Sequence, residues 1–307
     1  MPELSVVIAS FNTRDLLARC IEEFRRAAAN IDHEIIIVDN GSTDGSREYL
    51  QGLGDAIKLE LNDENLGFAA ANNIGMKLAT APLLLLLNSD AFVTGETLGC
   101  VIQKMKYNPR IGMAGVQILN PDGTIQAESG DFPTFWQDVR VSIGLDQLGA
   151  GQRRAPSASW PVDWVHGACM FVRREAFEQV GGMDQRFFMY SEEVDWCRRF
   201  WEHDWQVWYV PEATATHLGG GSSRSNDLNR RIALYQSRLG LRRRIAGPHS
   251  SFLLWTAMIA GLAARLIARP ALQLIARHRV GRQSAGADWQ LLRAIAHMDP
   301  LARYIAS

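Results

Sequence analysis

The chain has 307 residues, 47% of them hydrophobic, which is ample for the core of one large domain plus a small appendage. A formal net charge of -1 gives no support to a nucleic-acid binder. The charge is unevenly placed: all four lysines precede position 107, while from Arg238 onward eleven arginines stand against two acids, Asp288 and Asp299, so the tail has a character of its own. Cys20, Cys100, Cys169 and Cys197 match no zinc or redox spacing and sit among apolar neighbours, as free thiols of a reducing compartment do. The N-terminus runs straight into a strand-like segment without a basic start and cleavage site, so no secretion signal is expected.

Leu4 to Ser10 is a short apolar run rich in β-branched residues. Leu16, Leu17, Cys20, Phe24 and Ala28 follow at helical spacing, with Asn12 or Thr13 as the cap. Glu34 to Asp39 reads as a second strand, Gly41 to Gly45 as a turn into a helix, and Ala56 to Leu61 as a third strand. Gly67 to Thr80 has helical composition. Leu83 to Leu87 is five consecutive leucines, as in a strand buried on both faces. This βαβα order predicts an α/β fold with a mostly parallel sheet flanked by helices. Ligands of such sheets bind beyond the carboxyl ends of the strands, which here carry Ser10 and Asn12, Asp39 and Asn40, and Asn88 and Asp90. Farther on, Met113 to Leu119 and Gly123 to Ala127 flank the hairpin-like turn Asn120-Pro121-Asp122-Gly123. Residues 145–160 read as a loop, Trp164 to Val172 as a strand, Glu192 to Glu202 as a helix and Gln206 to Val210 as a strand.

The motifs come in a fixed order: Ser5-Val6-Val7-Ile8-Ala9-Ser10-Phe11-Asn12, Val38-Asp39-Asn40-Gly41-Ser42-Thr43-Asp44-Gly45, Asn65-Leu66-Gly67-Phe68, Leu87-Asn88-Ser89-Asp90, Gly167-Ala168-Cys169-Met170 and Ser191-Glu192-Glu193-Val194-Asp195-Trp196-Cys197. Each alone is weak; the ordered series resembles family 2 glycosyltransferases, and within them the bacterial rhamnosyltransferase-like branch, over roughly residues 3–235. The resemblance implies a Rossmann-like fold of GT-A type, assigned to residues 1–240, and the charge and apolar pattern of 241–307 reads as a basic, amphipathic helical tail.

A strand-ending Asp39 suits a helix cap; the resemblance implies instead that it accepts a hydrogen bond from the donor's pyrimidine base, with Ser10 and Asn12 in the same nucleoside pocket. A carboxylate ending a buried strand must be paired or bound to a cation, and carboxylate oxygens suit Mg²⁺ or Mn²⁺. The family often has Asp-x-Asp here. This chain has Asn88 first, placed with the donor-binding residues, which leaves Asp90 as the only carboxylate of the motif and calls for another metal ligand. A lone histidine is usually structural, but His217 precedes a glycine-rich stretch able to approach phosphates, and the resemblance implies that it binds the metal. His166 is the second choice. Arg224 suits the diphosphate. Glu192 and Glu193 emerge from an apolar setting that raises carboxylate pKa values. The resemblance makes the second acid the base, so Glu193 is assigned that role and Glu192 is the alternative. Gly167 and Ala168 allow close approach, and the resemblance places them along the donor sugar and diphosphate. Trp164 and Trp196 read equally as sugar-stacking or core residues.

Phe252 to Ala268 is apolar except for Arg265, and Arg269, Arg277, His278, Arg279 and Arg282 follow. The run is short for a membrane span and reads as helices lying on an anionic membrane surface; the competing reading is a helical cap packed on the enzyme or forming an oligomer contact. The expectation is therefore an inverting glycosyltransferase that takes a UDP- or dTDP-sugar, with rhamnose the candidate sugar, and serves a lipid-linked saccharide acceptor in cell-surface polysaccharide synthesis. It is expected in the cytoplasm, peripheral on the inner face of the cell membrane. A nucleotidyltransferase would carry an early Arg- or Lys-bearing glycine-rich loop, which Ser10-Phe11-Asn12-Thr13 lacks. A non-catalytic nucleotide-sugar-binding scaffold would not need Asp39, Asp90, Glu193 and His217.

Overall fold

The structure, a computed structural model, describes residues 1–127, 129–142, 158–219, 227–275 and 285–300. The chain forms two compact units. One comprises Met1–Phe132, Arg154–Gln185 and Glu192–Arg224; the other comprises Pro133–Arg153, Arg186–Ser191 and Ser225–Ser307.

The first unit holds β1 (Leu4–Ser10), α1 (Arg14–Ala27), β2 (His33–Asn40), α2 (Ser46–Gln51), β3 (Lys58–Asn62), α3 (Phe68–Leu78), β4 (Leu83–Leu87), β5 (Ala91–Val93), α4 (Gly95–Tyr107), β6 (Ile111–Leu119) and β7 (Ile125–Ala127). After α5 (Phe135–Ser142), which belongs to the second unit, come β8 (Trp160–Pro161), β9 (Cys169–Arg173), α6 (Arg174–Val180), α7 (Glu192–Glu202) and β10 (Gln206–His217). Among the described residues the strands form one ten-stranded sheet in the order β3-β2-β1-β4-β9-β6-β10-β5, with β7 on β6 and β8 on β10. The βαβ half, β3-β2-β1-β4, is parallel. Beyond it, β9 is antiparallel to both β4 and β6.

The leucine run shows why helices cover both faces. Successive side chains of a strand point to opposite faces. Leu83, Leu85 and Leu87 pack with α1 and α4 through Leu17, Phe24, Leu98 and Met105. Leu84 and Leu86 pack with α3, α6 and α7 through Met76, Ala176, Trp196 and Phe200. Each buried leucine contributes about 1.5–3 kcal/mol over leaving it in water.

Three elements differ from the sequence expectation. The strand expected from Trp164 begins only at Cys169, and Trp164 forms an isolated bridge with Gly130. His166 Nδ1 accepts the Ala168 N–H at 3.1 Å, which removes that donor from any ladder. Next, β10 does not stop at Val210 but continues to His217 through a register shift between Val210 and Thr214. Pro211 lies in that irregularity, where its missing N–H is harmless. Of the loop expected over 145–160, residues up to 157 lie outside the described residues, and Trp160–Pro161 pairs with β10.

The second unit is helical: α5, α8 (Asp227–Ile275) and α9 (Ala285–Ala296). Gly247, at φ 81°, breaks α8. Leu254, Met258 and Leu262 of the apolar run bury against Tyr235, Leu239, Leu291 and Ile295. Asp138 binds Arg238 at 2.9 Å and Arg242 at 2.5 Å. Asp288 binds Arg231 at 2.8 Å and has Arg265, the one charge in the apolar run, at 3.4 Å. Pairing of this kind offsets the cost of burying a carboxylate. The four cysteines are free, and all but Cys100 are buried.

Close packing of α3 on the sheet gives a direct test. A methyl group on Gly75 would run into Val7 Cγ1 of β1, whereas one on Gly99 of α4 would meet open space. Gly75→Ala is expected to destabilise the fold by about 1–3 kcal/mol through overpacking, and Gly99→Ala to be neutral or mildly stabilising. Urea denaturation of the two variants checks this.

Candidate active site

The parallel strands β1, β2 and β4 end at one edge of the sheet and deliver their polar residues there. A chain of hydroxyls crosses this edge: Ser10 Oγ lies 2.9 Å from Thr13 Oγ1, which lies 2.9 Å from Ser89 Oγ. Thr13 stands at the start of α1, but its side chain makes no capping bond. Asp44 accepts the Arg14 N–H instead.

Asn12 adopts φ 51°, a left-handed conformation that asparagine tolerates better than most residues. Its Oδ1 accepts the Thr43 N–H at 2.8 Å, and its own N–H goes to Ser42 Oγ at 2.9 Å. The loops after β1 and β2 are thus tied together. Asp39 is fully buried. Its Oδ1 accepts the Ser42 N–H at 3.0 Å and lies 3.4 Å from Arg47 Nε. Its Oδ2 is buried and has no hydrogen-bond partner among the described residues, an open acceptor whose desolvation is uncompensated until a donor arrives. Neighbouring Asn40 is satisfied by Asn62, Asn65, Leu66 and Gly67, which fastens the Asn65-Leu66-Gly67-Phe68 motif to β2. Gly41 is required at this junction: its φ is 84°, and a Cβ would strike the Glu64 backbone.

The second cluster lies after β4. Asn88 N–H donates to the Ala168 carbonyl at 3.0 Å, continuing the β4–β9 pairing. The antiparallel register of β5 and β10 sets His217 opposite Ala91, and Leu218 N–H donates to the Asp90 carbonyl at 3.0 Å. His217 Nε2 therefore comes 3.1 Å from Asp90 Oδ1, with both side chains about nine-tenths buried. Asn88 Nδ2 is 3.4 Å from the same nitrogen. His166 has its ring centroid 6.1 Å from that of His217. Burial, reinforced by His217, pulls the His166 pKa down to about 4, so its ring is neutral near pH 7, with Nδ1 taken by Ala168 and the proton on Nε2. Gly167 is not demanded by the protein's own packing, since a Cβ there would meet only Phe68 at 3.6 Å.

Sequence reasoning named Asp90, His217, Asn88 and Ala168, and the structure brings these four together. It missed Gln126, whose Oε1 is 2.6 Å from His217 Nδ1. The hairpin was legible, but which β7 side chain it would aim was not. Arg224 lies outside the described residues. Trp196 is a core residue: it is fully buried and donates its indole N–H to the Gly181 carbonyl at 2.8 Å.

Glu192 and Glu193 begin α7, which is anchored by Trp196, Cys197 and Phe200 in the core. Glu192 is 5% exposed and Glu193 is half-buried. Oε2 of each is buried without a hydrogen-bond partner among the described residues. Burial raises the Glu193 pKa to about 7. Burial, and then the charge of Glu193, holds Glu192 well above the ordinary carboxylate range. Two such neighbours ionise as a pair, with the second charge resisted by the first.

Residues 5–181 match the family described as glycosyl transferase family 2. The chain is 30% identical over 206 residues to the N-acetylglucosaminyl-diphospho-decaprenol L-rhamnosyltransferase of Mycobacterium tuberculosis, over 60% of this chain and 66% of that protein. It is 26% identical over 256 residues to the low-salt glycan biosynthesis hexosyltransferase Agl10 of Haloferax volcanii, over 82% of this chain and 77% of that one. The match thus spans just under two thirds of the mycobacterial relative's length. Among solved structures, the fold is similar to that of the mannosyltransferase PcManGT from Pyrobaculum calidifontis in complex with GDP-Man and Mn²⁺, with TM-score 0.59, 16% identity, and coverage of 96% of this chain and 86% of that one. It is also similar to GalNAc-T7 with UDP, GalNAc and Mn²⁺, with TM-score 0.56, 17% identity, and coverage of 78% and 47%. These neighbours bear out the GT-A type fold.

Proposed function

The chain belongs to glycosyl transferase family 2, and from that premise we propose that it moves a sugar from a nucleoside-diphosphate-sugar to an acceptor hydroxyl, with inversion at the anomeric carbon. The observation that carries the proposal is the Asp90–His217 pair, 3.1 Å apart at the carboxyl edge of the sheet beside Asn88 and Ala168. A carboxylate oxygen and an imidazole nitrogen so close, both largely buried, fit a shared cation. Asp90 and His217 would hold Mg²⁺ or Mn²⁺, which when bound neutralises charge on the leaving diphosphate. Two solved neighbours are complexes with Mn²⁺, which supports this choice.

The remaining roles are those the family resemblance implies, with the open Oδ2 of Asp39 in support of the first. The open Oδ2 of Asp39 accepts an N–H from the pyrimidine of a UDP- or dTDP-sugar, with Ser10 and Asn12 beside it. Asn88, Gly167 and Ala168 line the sugar and diphosphate, and Arg224 pairs with the diphosphate. Glu193 takes the proton from the acceptor hydroxyl, whose oxygen attacks the anomeric carbon opposite the departing diphosphate. Its partial exposure gives an acceptor access that Glu192 lacks, and a pKa near 7 suits a base.

The sugar we propose is rhamnose and the acceptor a lipid-linked saccharide, as in the name of the mycobacterial relative. A peripheral position on the cytoplasmic face of the membrane accords with α8. By length and composition, Leu228–Ile267 is apolar enough to cross a membrane, yet Arg231, Arg238 and Arg242 within it are ion-paired. Between Phe252 and Ile267, the residues Phe252, Leu253, Thr256, Ala260, Ala264 and Ile267 are exposed. At 3.6 residues per turn they share one uncharged face, away from buried Leu254, Met258 and Leu262. That face suits shallow insertion into a bilayer.

With UDP- and dTDP-sugars and Mn²⁺, Glu193→Gln is expected to keep nucleotide binding and lose about 10²–10⁴-fold in kcat. The base works when deprotonated, so wild-type kcat/KM should climb as pH rises through about 7, and the variant should lose that rise. If Glu192→Gln shows this behaviour instead, the assignment passes to Glu192. Asp90→Ala is expected to abolish Mn²⁺-dependent nucleotide binding by calorimetry; unchanged affinity would remove Asp90 from the metal site. In flotation assays the chain should rise with anionic liposomes, and replacing Phe252, Leu253 and Ile267 together by Ser should leave it behind. Equal flotation of the two proteins would refute the docking face.

A further inference from the structure

We propose that Gln126 is the positioning residue that makes His217 a metal ligand, by holding its ring proton on Nδ1 and so turning the Nε2 lone pair toward Asp90. The inference rests on the reading of Asp90 and His217 as the metal pair, and deepens it.

The geometry begins with the β6–β7 hairpin. Ile118 pairs with Ala127, and Leu119 pairs with Ile125. One step along β6 is therefore matched by two steps along β7, and Gln126 is the extra residue of a bulge. Bulges re-aim side chains near functional sites. Here the amide reaches the end of β10: Gln126 Nε2 is 3.0 Å from the His217 carbonyl and 3.0 Å from Asn120 Oδ1, and Gln126 Oε1 is 2.6 Å from His217 Nδ1.

Chemistry then fixes which atom is which. Both groups facing Nε2 are carbonyl oxygens, which only accept. The orientation of Asn120 is set in turn, because the Thr124 hydroxyl gives its proton to Asp122 Oδ1 at 2.6 Å and so must accept from Asn120 Nδ2, at 2.9 Å. The Gln126 NH₂ group must therefore face these two oxygens, and a flipped amide would set three oxygens against each other. Gln126 Oε1 is left pointing at His217 Nδ1. An amide oxygen has no proton to give, so Nδ1 carries the proton and donates it.

On the other side of the ring, Asp90 Oδ1 stands 3.1 Å from Nε2. A carboxylate is the stronger acceptor, and without Gln126 the single proton of a neutral ring would move to Nε2 to meet it. That tautomer offers the metal an N–H instead of a lone pair. Gln126 opposes the shift, and the amide donors of Asn88, 3.4 Å from Nε2, also favour a bare nitrogen there. A metal-bound imidazole is ordinarily held this way, by a hydrogen bond from its other nitrogen.

The test uses the full chain, Mn²⁺ alone as the calorimetric probe, and nitrogen-15 histidine spectra of the metal-free protein. The wild type should show His217 protonated at Nδ1. Gln126→Leu should populate the Nε2–H form and weaken Mn²⁺ binding about 10–100-fold. Gln126→Glu keeps an acceptor at Nδ1 and should keep the Nδ1–H tautomer, but its second oxygen faces the His217 and Asn120 carbonyl oxygens, so its affinity should fall between those of the wild type and Gln126→Leu. A wild-type His217 protonated only at Nε2 overturns the inference, and so does a Gln126→Leu protein that loses affinity while Nδ1 stays protonated. That second result would mark a purely structural role. If Gln126→Leu does not fold, the wild-type spectrum and Gln126→Glu still decide. His217→Ala separates the two layers. If it leaves Mn²⁺ affinity unchanged, the metal reading itself fails; if it abolishes binding while Gln126→Leu binds normally, only the role of Gln126 fails.

Discussion

Burial of the five-leucine strand on both faces is the constraint from which the first unit is built. A strand without a solvent face must lie inside a sheet, with helices above and below it. Alternation assigns Leu83, Leu85 and Leu87 to the core under α1 and α4, and Leu84 and Leu86 to the core under α3, α6 and α7. Both layers are therefore committed by one segment. The first polar residues after it, Asn88, Ser89 and Asp90, emerge where β1 and β2 also end. The geometry of the edge is a consequence of packing in the middle.

At that edge the acids differ because their surroundings differ. Asp39 has an amide donor and a nearby guanidinium on one oxygen and, among the described residues, no hydrogen-bond partner on the other. Asp90 has an imidazole. Burial pushes Glu193 toward the protonated form, and burial together with the charge of Glu193 pushes Glu192 the same way. The proposed roles in base recognition, cation binding and proton abstraction follow those three environments, since a poised base needs an acid whose charge is not already stabilised.

The helical unit solves a different problem. Its arginines, so conspicuous in the sequence, are partly internal: Arg231, Arg238, Arg242 and Arg265 converge on Asp138 and Asp288. These pairs let an apolar, arginine-bearing helix pack against α5 and α9 through Leu254, Met258 and Leu262, while a second, uncharged face stays exposed. The cap and the membrane surface were competing readings of one segment. A helix has two sides, and the packed face does not preclude use of the other.

Local pattern alone determined much of this protein. Strand alternation, helical spacing and turn residues located β1, β2, β4, α3 and α7 within a few residues, because those signals reside in neighbouring side chains. The strand-end position of Asp39 and Asp90 was legible for the same reason. The family resemblance pointed to Glu193 and His217, whose chemistry stands as proposed. What only the tertiary structure decided came from contacts distant in sequence. It delayed the strand expected from Trp164 until Cys169, because the His166 side chain takes the Ala168 amide, and it carried β10 past Pro211 through an irregular pairing with β6. It paired His217 with Asp90 across 127 positions through the β5–β10 register, and it turned Gln126 toward the ring by one extra residue in a hairpin. Residue spacing carries no record of such a bulge: a one-residue slip in pairing reverses the face a side chain occupies, and the partner strand alone settles it.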